Sequence, residues 1–296
     1  MAFLRKLSLM GDAVIFRHSL FSLPFVLTAI LLESGGRPPW GKLALILAAA
    51  LAGRNAANAL NRVIDADIDG RNSRTAGRHI PSGRLSKKSL LLFAAALIII
   101  LIAAAALLNP LCLILLPAAV LLIGGYSFSK RFTWLCHYWL GAACACAVMG
   151  ALVGLTGTIR LRYLALAGVH ALWVAGFDII YALQDIAFDR AEGLCSIPAE
   201  FGAAGGRVFA ALSHLAVIGG LFLIPRFWEL WGPYYTAAGI AAVLLTAEHI
   251  IALGGPQGRR KARAPDARRI RIASYSINEI LPLVILAGTA VDIYAR

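Results

Sequence analysis

Apolar residues fill the chain in long runs that short polar segments separate. A helix needs about 20 apolar residues to cross the hydrocarbon core of a bilayer. No small-residue cleavage site follows Arg5 and Lys6, so the first run is expected to be a retained anchor. The predicted fold class is an all-α polytopic membrane protein. Runs of suitable length predict nine membrane-spanning helices, at about 15–32, 43–64, 90–107, 111–127, 136–158, 163–185, 207–224, 233–253 and 273–294.

Two polar stretches are longer than the others, at about 65–89 and 254–272. The second combines glycine, proline and arginine, which is typical of a flexible loop. The first mixes charges with turn-forming residues such as Gly70 and Pro81, and it is predicted to form an ordered cap that includes a short helix. No segment has the composition of a soluble domain. Residues 1–296 are therefore expected to form one domain.

The composition agrees with a membrane location. Only 15% of the residues are charged and 60% are hydrophobic, whereas about 25% are charged in a soluble domain. The formal net charge is +13. With a cytoplasmic N-terminus, most Lys and Arg residues fall on the cytoplasmic side, as the positive-inside rule requires. Topology and attraction to anionic lipid explain the charge, so no nucleic-acid partner is expected.

Polar residues recur at helical spacing along the second predicted span. Arg54, Asn58, Asn61, Asp65 and Asp69 follow one another at intervals of three or four residues. This spacing places all five side chains on one face of a helix. The pattern is unusual for an apolar span, and it predicts a polar site at the end of this helix.

The sixth predicted span carries a second set, Asp178, Tyr181, Asp185 and Asp189, at the same spacing. In both spans the carboxylates lie at the cytoplasmic end, where they oppose the helix macrodipole. Carboxylates at a membrane are costly unless a cation lies between them. Two clusters of oxygen ligands suit Mg²⁺, which binds carboxylates together with substrate phosphates. The two sets are therefore predicted to meet over a phosphate–metal complex.

Arginines follow the first aspartate set closely. Arg74 and Arg78 lie among turn residues and are predicted to contact a diphosphate, because guanidinium groups bind phosphate oxygens bidentately. Arg84 and Lys87 are interpreted as topology signals at the membrane surface. Asp67 falls on the other side of its helix and is interpreted as a solvated charge or as a charge behind the metal ligands.

Further polar residues point towards the same region. Tyr126 and Lys130 end the fourth span and are predicted to bring polar groups to the pocket, although anchoring of the helix also explains Lys130. Arg54 lies too deep for snorkelling and is a candidate to bind the carboxylate or hydroxyl of an acceptor. Asp178 lies more than two turns from the membrane surface, so a role inside the membrane is expected. It is predicted either to bind a second metal through water or to orient Tyr181 and Lys130.

Two long segments, NRVIDADIDGRNSRTAGRHIPSGRLS and YALQDIAFDRAEGLCSIPAEFG, resemble the two signatures of the UbiA superfamily of intramembrane aromatic prenyltransferases. YSFSKRFT and VIFRHSLFSLPF resemble two further family segments. The resemblance covers nearly the whole chain. One departure is His79, where the family commonly has proline, and it removes no expected ligand.

The resemblance implies one UbiA-like domain of nine transmembrane helices around a central cavity, with polar motif loops at about 65–89 and 185–206. The metal ligands that it implies are Asn61, Asp65, Asp69, Asp185 and Asp189. The implied diphosphate contacts are Arg74, Arg78 and Lys130. Two Mg²⁺ ions are expected to bridge the diphosphate, with the four aspartates as the catalytic groups.

Within the superfamily, the RNAANALNRVID and GLCSIPAEFG segments are nearest to enzymes of quinone biosynthesis. The resemblance therefore implies transfer of a polyprenyl group from polyprenyl diphosphate to 4-hydroxybenzoate or 1,4-dihydroxy-6-naphthoate, for ubiquinone or menaquinone. The expected location is the inner cell membrane, with the active site facing the cytoplasm. The acceptor, the prenyl length and the oligomeric state stay open.

Two other functions remain as alternatives. A cation-coupled transporter would also carry intramembrane carboxylates, but it does not explain the arginines beside them. A UbiA-type enzyme acting on another acceptor, such as haem, is the second alternative. A CDP-alcohol phosphotransferase is excluded, because the further aspartates that this class needs are missing from residues 76–88.

Overall fold

The computed structural model describes residues 9–14, 19–253 and 267–295, and every regular element within these ranges is helical. A 3₁₀ turn covers Leu183–Asp185, and a π-helical segment covers Ile272–Ile277. The predicted all-α fold class is confirmed. The helices are α1 (Ser19–Ser34), α2 (Trp40–Ile64), α3 (Ala66–Arg71), α4 (Lys87–Leu108), α5 (Pro110–Ser129), α6 (Cys136–Thr156), α7 (Leu161–Ala182), α8 (Ile186–Ala191), α9 (Ile197–Leu223), α10 (Pro225–Trp228), α11 (Gly232–Leu253), α12 (Ala267–Arg271) and α13 (Asn278–Tyr294).

Within the described ranges, 8 helical stretches are long and apolar enough to cross a membrane. The first predicted span corresponds to α1, which has 16 residues and is shorter than these eight. Positions 15–18 of that prediction lie outside the described residues. The count of nine spans and the cytoplasmic N-terminus therefore stay predictions.

The predicted start of the seventh span, near residue 207, is wrong. Helix α9 begins at Ile197, where the Ser196 side chain accepts a hydrogen bond from the Ala199 N–H. The start of α9 carries glycine and polar residues, so hydropathy alone does not mark it. The backbone leaves helical geometry at Gly202, with φ 71°, a conformation that glycine adopts without steric cost.

Large side chains fill the centre of the bundle. Phe25, Tyr163, Trp173 and Tyr234 are fully buried and belong to one apolar cluster that joins α1, α7 and α11. On the outer surface of α4 and α5, large apolar side chains such as Ile99 are instead exposed. An extended apolar surface of this kind marks contact with lipid rather than water.

Two glycines allow helix α7 to pack closely against its neighbours. A Cβ atom at Gly141 of α6 would collide with the backbone carbonyl oxygen of Ala171, and one at Gly176 would collide with the ring of His214 on α9. Small residues let helix backbones approach closely within membranes. These contacts hold α7 between α6 and α9. Helix α7 carries Asp178 and Tyr181 of the second set, whereas Asp185 ends the 3₁₀ turn that follows and Asp189 lies in α8.

The first aspartate set spans the junction of α2 and α3. Although α2 ends at Ile64, the N–H of Asp65 bonds the carbonyl of Asn61 at 2.9 Å, and that of Asp69 bonds the carbonyl of Asp65 at 2.8 Å. These bonds keep helical register across the junction. The predicted one-face arrangement is therefore preserved, although the helix is interrupted.

An ordered cap follows α3, as predicted. Its turns occupy residues 72–86, named the cap loop, and end where Ser86 caps α4 by accepting from the Ser89 N–H. Arg71 at the end of α3 pairs with Glu192 beyond α8 at 2.7 Å. This exposed pair joins the two motif regions across the top of the bundle.

Candidate active site

A cavity of about 260 Å³ lies where α2, α5 and α7 end, beneath the cap loop. The structure brings the two predicted polar sets together around it, although they are more than a hundred residues apart in the chain. Every residue that the sequence assigned to metal, diphosphate or acceptor binding lines this polar cavity. These residues are Arg54, Asn58, Asn61, Asp65, Asp69, Arg74, Arg78, Tyr126, Lys130, Asp178, Tyr181, Asp185 and Asp189.

The first aspartate set is held by an amide and an arginine. Asn61 Nδ2 donates to Asp65 Oδ2 at 2.6 Å. Arg131 Nη2 contacts Asp65 Oδ1 at 3.3 Å and donates to the carbonyl oxygen of Ile64 at 3.0 Å. Arg131 thus supplies the positive charge that the C-terminal end of α2 requires. The sequence offered no signal to separate this role from simple anchoring.

Burial disfavours the charged form of Asp65. Burial first, and the neighbouring Asp69 carboxylate second, raise the pKa of the Asp65 carboxyl, while Arg131 acts in the opposite direction. A carboxylate whose charge is poorly compensated binds a cation readily. Asp65 is therefore the member of the first set that most needs a further positive charge.

Two arginines of the cap loop reach down to the aspartates. Arg78 Nη1 lies 2.6 Å from both Asp69 Oδ1 and Oδ2. Arg74 holds Asp185 of the second set by two hydrogen bonds, and its Nη1 donates to the Tyr181 hydroxyl at 2.8 Å. The prediction that both arginines belong to the site is thus matched by their positions.

The last carboxylate of the second set, Asp189, is only 2% exposed. Ser196 Oγ donates to its Oδ2 at 2.9 Å.

Burial opposes the charge on Lys130, but the nearby carboxylates, Asp189 foremost, outweigh this effect and raise the pKa of the ammonium group. Lys130 therefore stays protonated. Its backbone carbonyl accepts from the Cys195 N–H at 2.7 Å, which fixes it to the second motif loop.

Lys87 and Arg84, which were interpreted as surface charges, lie outside the polar cavity. Lys87 pairs with Asp67 at 2.8 Å, and the Asp67 side chain is 76% exposed. Arg84 bonds Ser82 and the carbonyl of Gly77 within the cap loop. None of these residues lines the polar cavity. Asp67 is thus a solvated charge, as predicted.

The deep end of the polar cavity contains pairs that the sequence did not reveal. Asp178 was predicted to bind a second metal through water, which stays a prediction, or to orient Tyr181 and Lys130. Its hydrogen bond is instead to His137 Nδ1 at 2.6 Å. Arg54 Nη1 lies 2.9 Å from Cys144 Sγ. His137 and Cys144 belong to α6, which carries no charge pattern. Only the packing of α6 against α7 and α2 shows that they belong to the site.

A second, apolar cavity of about 330 Å³ adjoins the polar one. It is lined largely by small and aliphatic side chains of α2, α5 and α6. Arg54, Tyr126 and Cys144 line both cavities and so mark the boundary between them. The charged polar cavity thus continues into the apolar cavity.

The donor set suits Mg²⁺ bound together with phosphate. In the described part of the chain, no three His, Cys, Asp or Glu side chains converge closely enough to hold a metal ion by themselves. Mg²⁺ typically takes one or two carboxylates plus substrate phosphate oxygens and does not need an all-protein cage. Carboxylates from two helices that face a common cavity, with arginines between them, fit that mode of binding.

Comparisons with known proteins agree with this geometry. The UbiA prenyltransferase family model matches residues 22–272. A 4-hydroxybenzoate octaprenyltransferase of Vibrio campbellii is 29% identical over 224 residues, which are 75% of this chain and 78% of that protein. The apo structure of a UbiA homologue from Aeropyrum pernix K1 is 30% identical, with a TM-score of 0.83 and coverage of 94% of this chain and 98% of that one. A UbiA homologue from Archaeoglobus fulgidus bound to DMAPP and Mg²⁺ shares the fold, with a TM-score of 0.70 at 15% identity over 96% of this chain and 99% of that one.

Proposed function

The chain belongs to the UbiA prenyltransferase family and is a membrane-bound prenyltransferase, and we propose that it transfers a polyprenyl group from polyprenyl diphosphate to a small aromatic acid. The acceptor is 4-hydroxybenzoate or 1,4-dihydroxy-6-naphthoate, and the product serves ubiquinone or menaquinone synthesis. The name of the Vibrio campbellii relative supports an acceptor of the benzoate type. The protein works as one domain in the inner cell membrane, with its polar cavity towards the cytoplasm.

The observation that carries this proposal is the junction of the two cavities. A diphosphate carries several negative charges and needs cations, whereas its prenyl chain needs apolar walls. The polar cavity supplies Arg74, Arg78 and Lys130, and the apolar cavity begins directly beyond Arg54 and Tyr126. One polyprenyl diphosphate can therefore place its diphosphate in the polar cavity and its prenyl chain in the apolar cavity.

Donor binding requires an exchange of partners in the polar cavity. Arg74 and Arg78 neutralise Asp185 and Asp69 in this structure. On binding, the guanidinium groups turn to the diphosphate oxygens, for which their geometry suits bidentate contact. Two Mg²⁺ ions held by Asn61 and the four motif aspartates would then neutralise charge on the departing diphosphate. The Archaeoglobus fulgidus protein, which is bound to DMAPP and Mg²⁺, supports joint binding of a prenyl diphosphate and Mg²⁺.

The chain's own residues then position the two reacting carbons. The bond between the first prenyl carbon and the diphosphate oxygen breaks, and its electron pair leaves with the diphosphate. An electron-rich ring carbon, ortho to a hydroxyl, forms the new carbon–carbon bond. Arg54, Asn58 and Tyr126 orient the acid at the cavity boundary, and the apolar walls exclude water that would quench the allylic cation.

The proposal is tested by offering both acceptors to membranes that contain the protein. Octaprenyl diphosphate, Mg²⁺ and equal amounts of 4-hydroxybenzoate and 1,4-dihydroxy-6-naphthoate are supplied together, and the products are identified by mass spectrometry. We expect one prenylated acid that depends on Mg²⁺ and is missing from membranes carrying Asp185→Ala. Absence of any prenylated aromatic product, together with cation flux into vesicles, would instead favour a transporter.

A further inference from the structure

Asp178 and His137 form a pair at the deep end of the polar cavity that the proposed donor binding does not use. His137 Nδ1 lies 2.6 Å from Asp178 Oδ2. The imidazole side chain is 0% exposed, whereas 25% of the Asp178 side chain is exposed. Since Asp178 lines the polar cavity, its exposed part faces the space where substrates bind.

The His137 imidazole reaches Asp178 from a fully buried position on α6. Its Nε2 is buried and has no hydrogen-bond partner among the described residues, and such a group is costly to bury. An ionised carboxylate can only accept hydrogen bonds, so the His137 Nδ1–H is the donor when Asp178 is charged. This bond occupies one carboxylate oxygen and leaves the other free towards the cavity.

Asp178 lines the same polar cavity as Arg54 and the proposed diphosphate contacts. It precedes Asp185 by two turns, about 10 Å along the helix axis. Arg54 and Lys130 lie within electrostatic reach of it from α2 and the end of α5. The other titratable groups that line the same end of the cavity or face the pair are Cys136, Cys144, Tyr181 and Tyr275, and Cys136 interacts with His137 directly.

Building on the proposed prenyl transfer, we propose that Asp178 accepts the ring proton in the last chemical step and that His137 is the positioning residue behind it. Once the new carbon–carbon bond has formed, the bond from that ring carbon to its hydrogen breaks. Its electron pair restores the aromatic ring, and the proton moves to the free carboxylate oxygen of Asp178. The proton leaves with product release, so the carboxylate is regenerated without any further reactant.

The test measures each step of the reaction separately in Asp178→Asn. Loss of a general base lowers kcat by roughly 100-fold or more, while KM for both substrates should stay within about threefold of the wild-type value. With an acceptor deuterated at the ring position that is prenylated, the wild-type protein should show no isotope effect. The variant should show one, because ring-proton removal has become rate-limiting. Diphosphate release should persist in the variant.

His137 is tested by His137→Gln and His137→Ala. Glutamine keeps an N–H donor for Asp178, so it should lower kcat by about tenfold and shift the acidic limb of the pH profile, whereas alanine should cost more. A role in packing alone would move neither the isotope effect nor the pH profile. Tyr138→Phe is the matched control, because it removes the neighbouring contact between Tyr138 and Ser213 of α9, outside the residues that line the polar cavity, and should leave kcat unchanged.

The outcomes separate the two proposals. A wild-type protein that prenylates neither acid contradicts the proposed function itself. A wild-type protein that prenylates one acid, beside an Asp178→Asn variant of equal rate and without an isotope effect, overturns only the role of the pair and leaves the diphosphate as proton acceptor. Should Asp178→Asn not fold, unchanged kcat, pH profile and isotope effect in His137→Gln would overturn it.

Discussion

Arg74 and Asp185 join the two motif regions through a pair of parallel hydrogen bonds, with Nε 3.1 Å from Oδ1 and Nη2 2.7 Å from Oδ2. The arginine belongs to the cap loop and the aspartate to the end of the α7 segment. A group suited to phosphate is thus in direct contact with a group suited to a metal. Under the proposed function, substrate binding separates Arg74 from Asp185. The arginine then binds the diphosphate, and the aspartate binds the metal.

The first prediction concerns Arg74 itself. Arg74→Ala removes a charged hydrogen-bond donor worth about 2 kcal/mol, so KM for polyprenyl diphosphate should rise about 30-fold. Arg74→Lys should recover only part of this loss, because an ammonium group cannot bind bidentately. Initial rates at saturating aromatic acid measure the effect. Arg84→Ala is the control, since Arg84 bonds within the cap loop, and a similar rise in KM for it would contradict the assignment.

The second prediction concerns the aspartates. Asp65→Ala and Asp185→Ala should each abolish turnover, with at least a roughly 100-fold loss of kcat, while the protein still inserts into the membrane. Asp67→Ala should retain activity, because Asp67 is exposed and pairs with Lys87 outside the cavity. Detergent-extracted protein is assayed for prenylated product and for elution by size. If either cavity variant kept most of its activity at saturating Mg²⁺, the metal-binding role would be wrong.

The third prediction concerns pH. Burial and the neighbouring Asp69 raise the pKa of the Asp65 carboxyl, so a proton competes with Mg²⁺ there at higher pH than at an ordinary carboxyl. Metal binding needs the deprotonated form. The affinity for Mg²⁺ should therefore fall as pH drops through the raised pKa, by up to about tenfold per pH unit.

This pH effect can be measured without turnover. The shift of Tm caused by Mg²⁺ and inorganic pyrophosphate is followed between about pH 5 and pH 8. Asp67→Asn should keep the wild-type profile, whereas Asp65→Asn should flatten it. An identical profile in wild-type protein and in Asp65→Asn would show that another group governs the pH dependence.

The fourth prediction concerns the length of the prenyl chain. Gly150 lines the apolar cavity, and a Cβ added there meets no atom within 4 Å. Gly150→Phe should fill part of that cavity without disturbing the backbone. Excluding two CH₂ groups costs about 1.6 kcal/mol, so the preference for octaprenyl over geranyl diphosphate should fall more than tenfold. Competition between the two donors measures this ratio.

Gly168→Phe provides the control for the chain-length prediction. Gly168 also has open space around its Cβ position, but it lies on α7 and does not line the apolar cavity. Its replacement should leave the donor preference unchanged. An equal change in both variants would mean that the added phenylalanine acts through general packing of the bundle.

The chain's local pattern was sufficient for the all-α fold class and for the polar faces. Intervals of three and four residues placed Asn61, Asp65 and Asp69 on one helical face, and the hydrogen bonds across the α2–α3 junction preserve that face. The start of α9 at Ile197 was missed, because glycine and polar residues conceal a helix whose stability comes from packing rather than from hydropathy.

The hydrogen-bond partners of the site residues depend on how the helices pack in the folded bundle. Neither the pairing of Arg74 with Asp185 nor that of His137 with Asp178 could be read from the sequence, because the residues of each pair are distant in the chain and α6 carries no polar pattern. Helical periodicity is a property of adjacent turns. A contact between distant segments depends instead on how closely helices approach, as at Gly141 and Gly176, and only tertiary packing determines that distance.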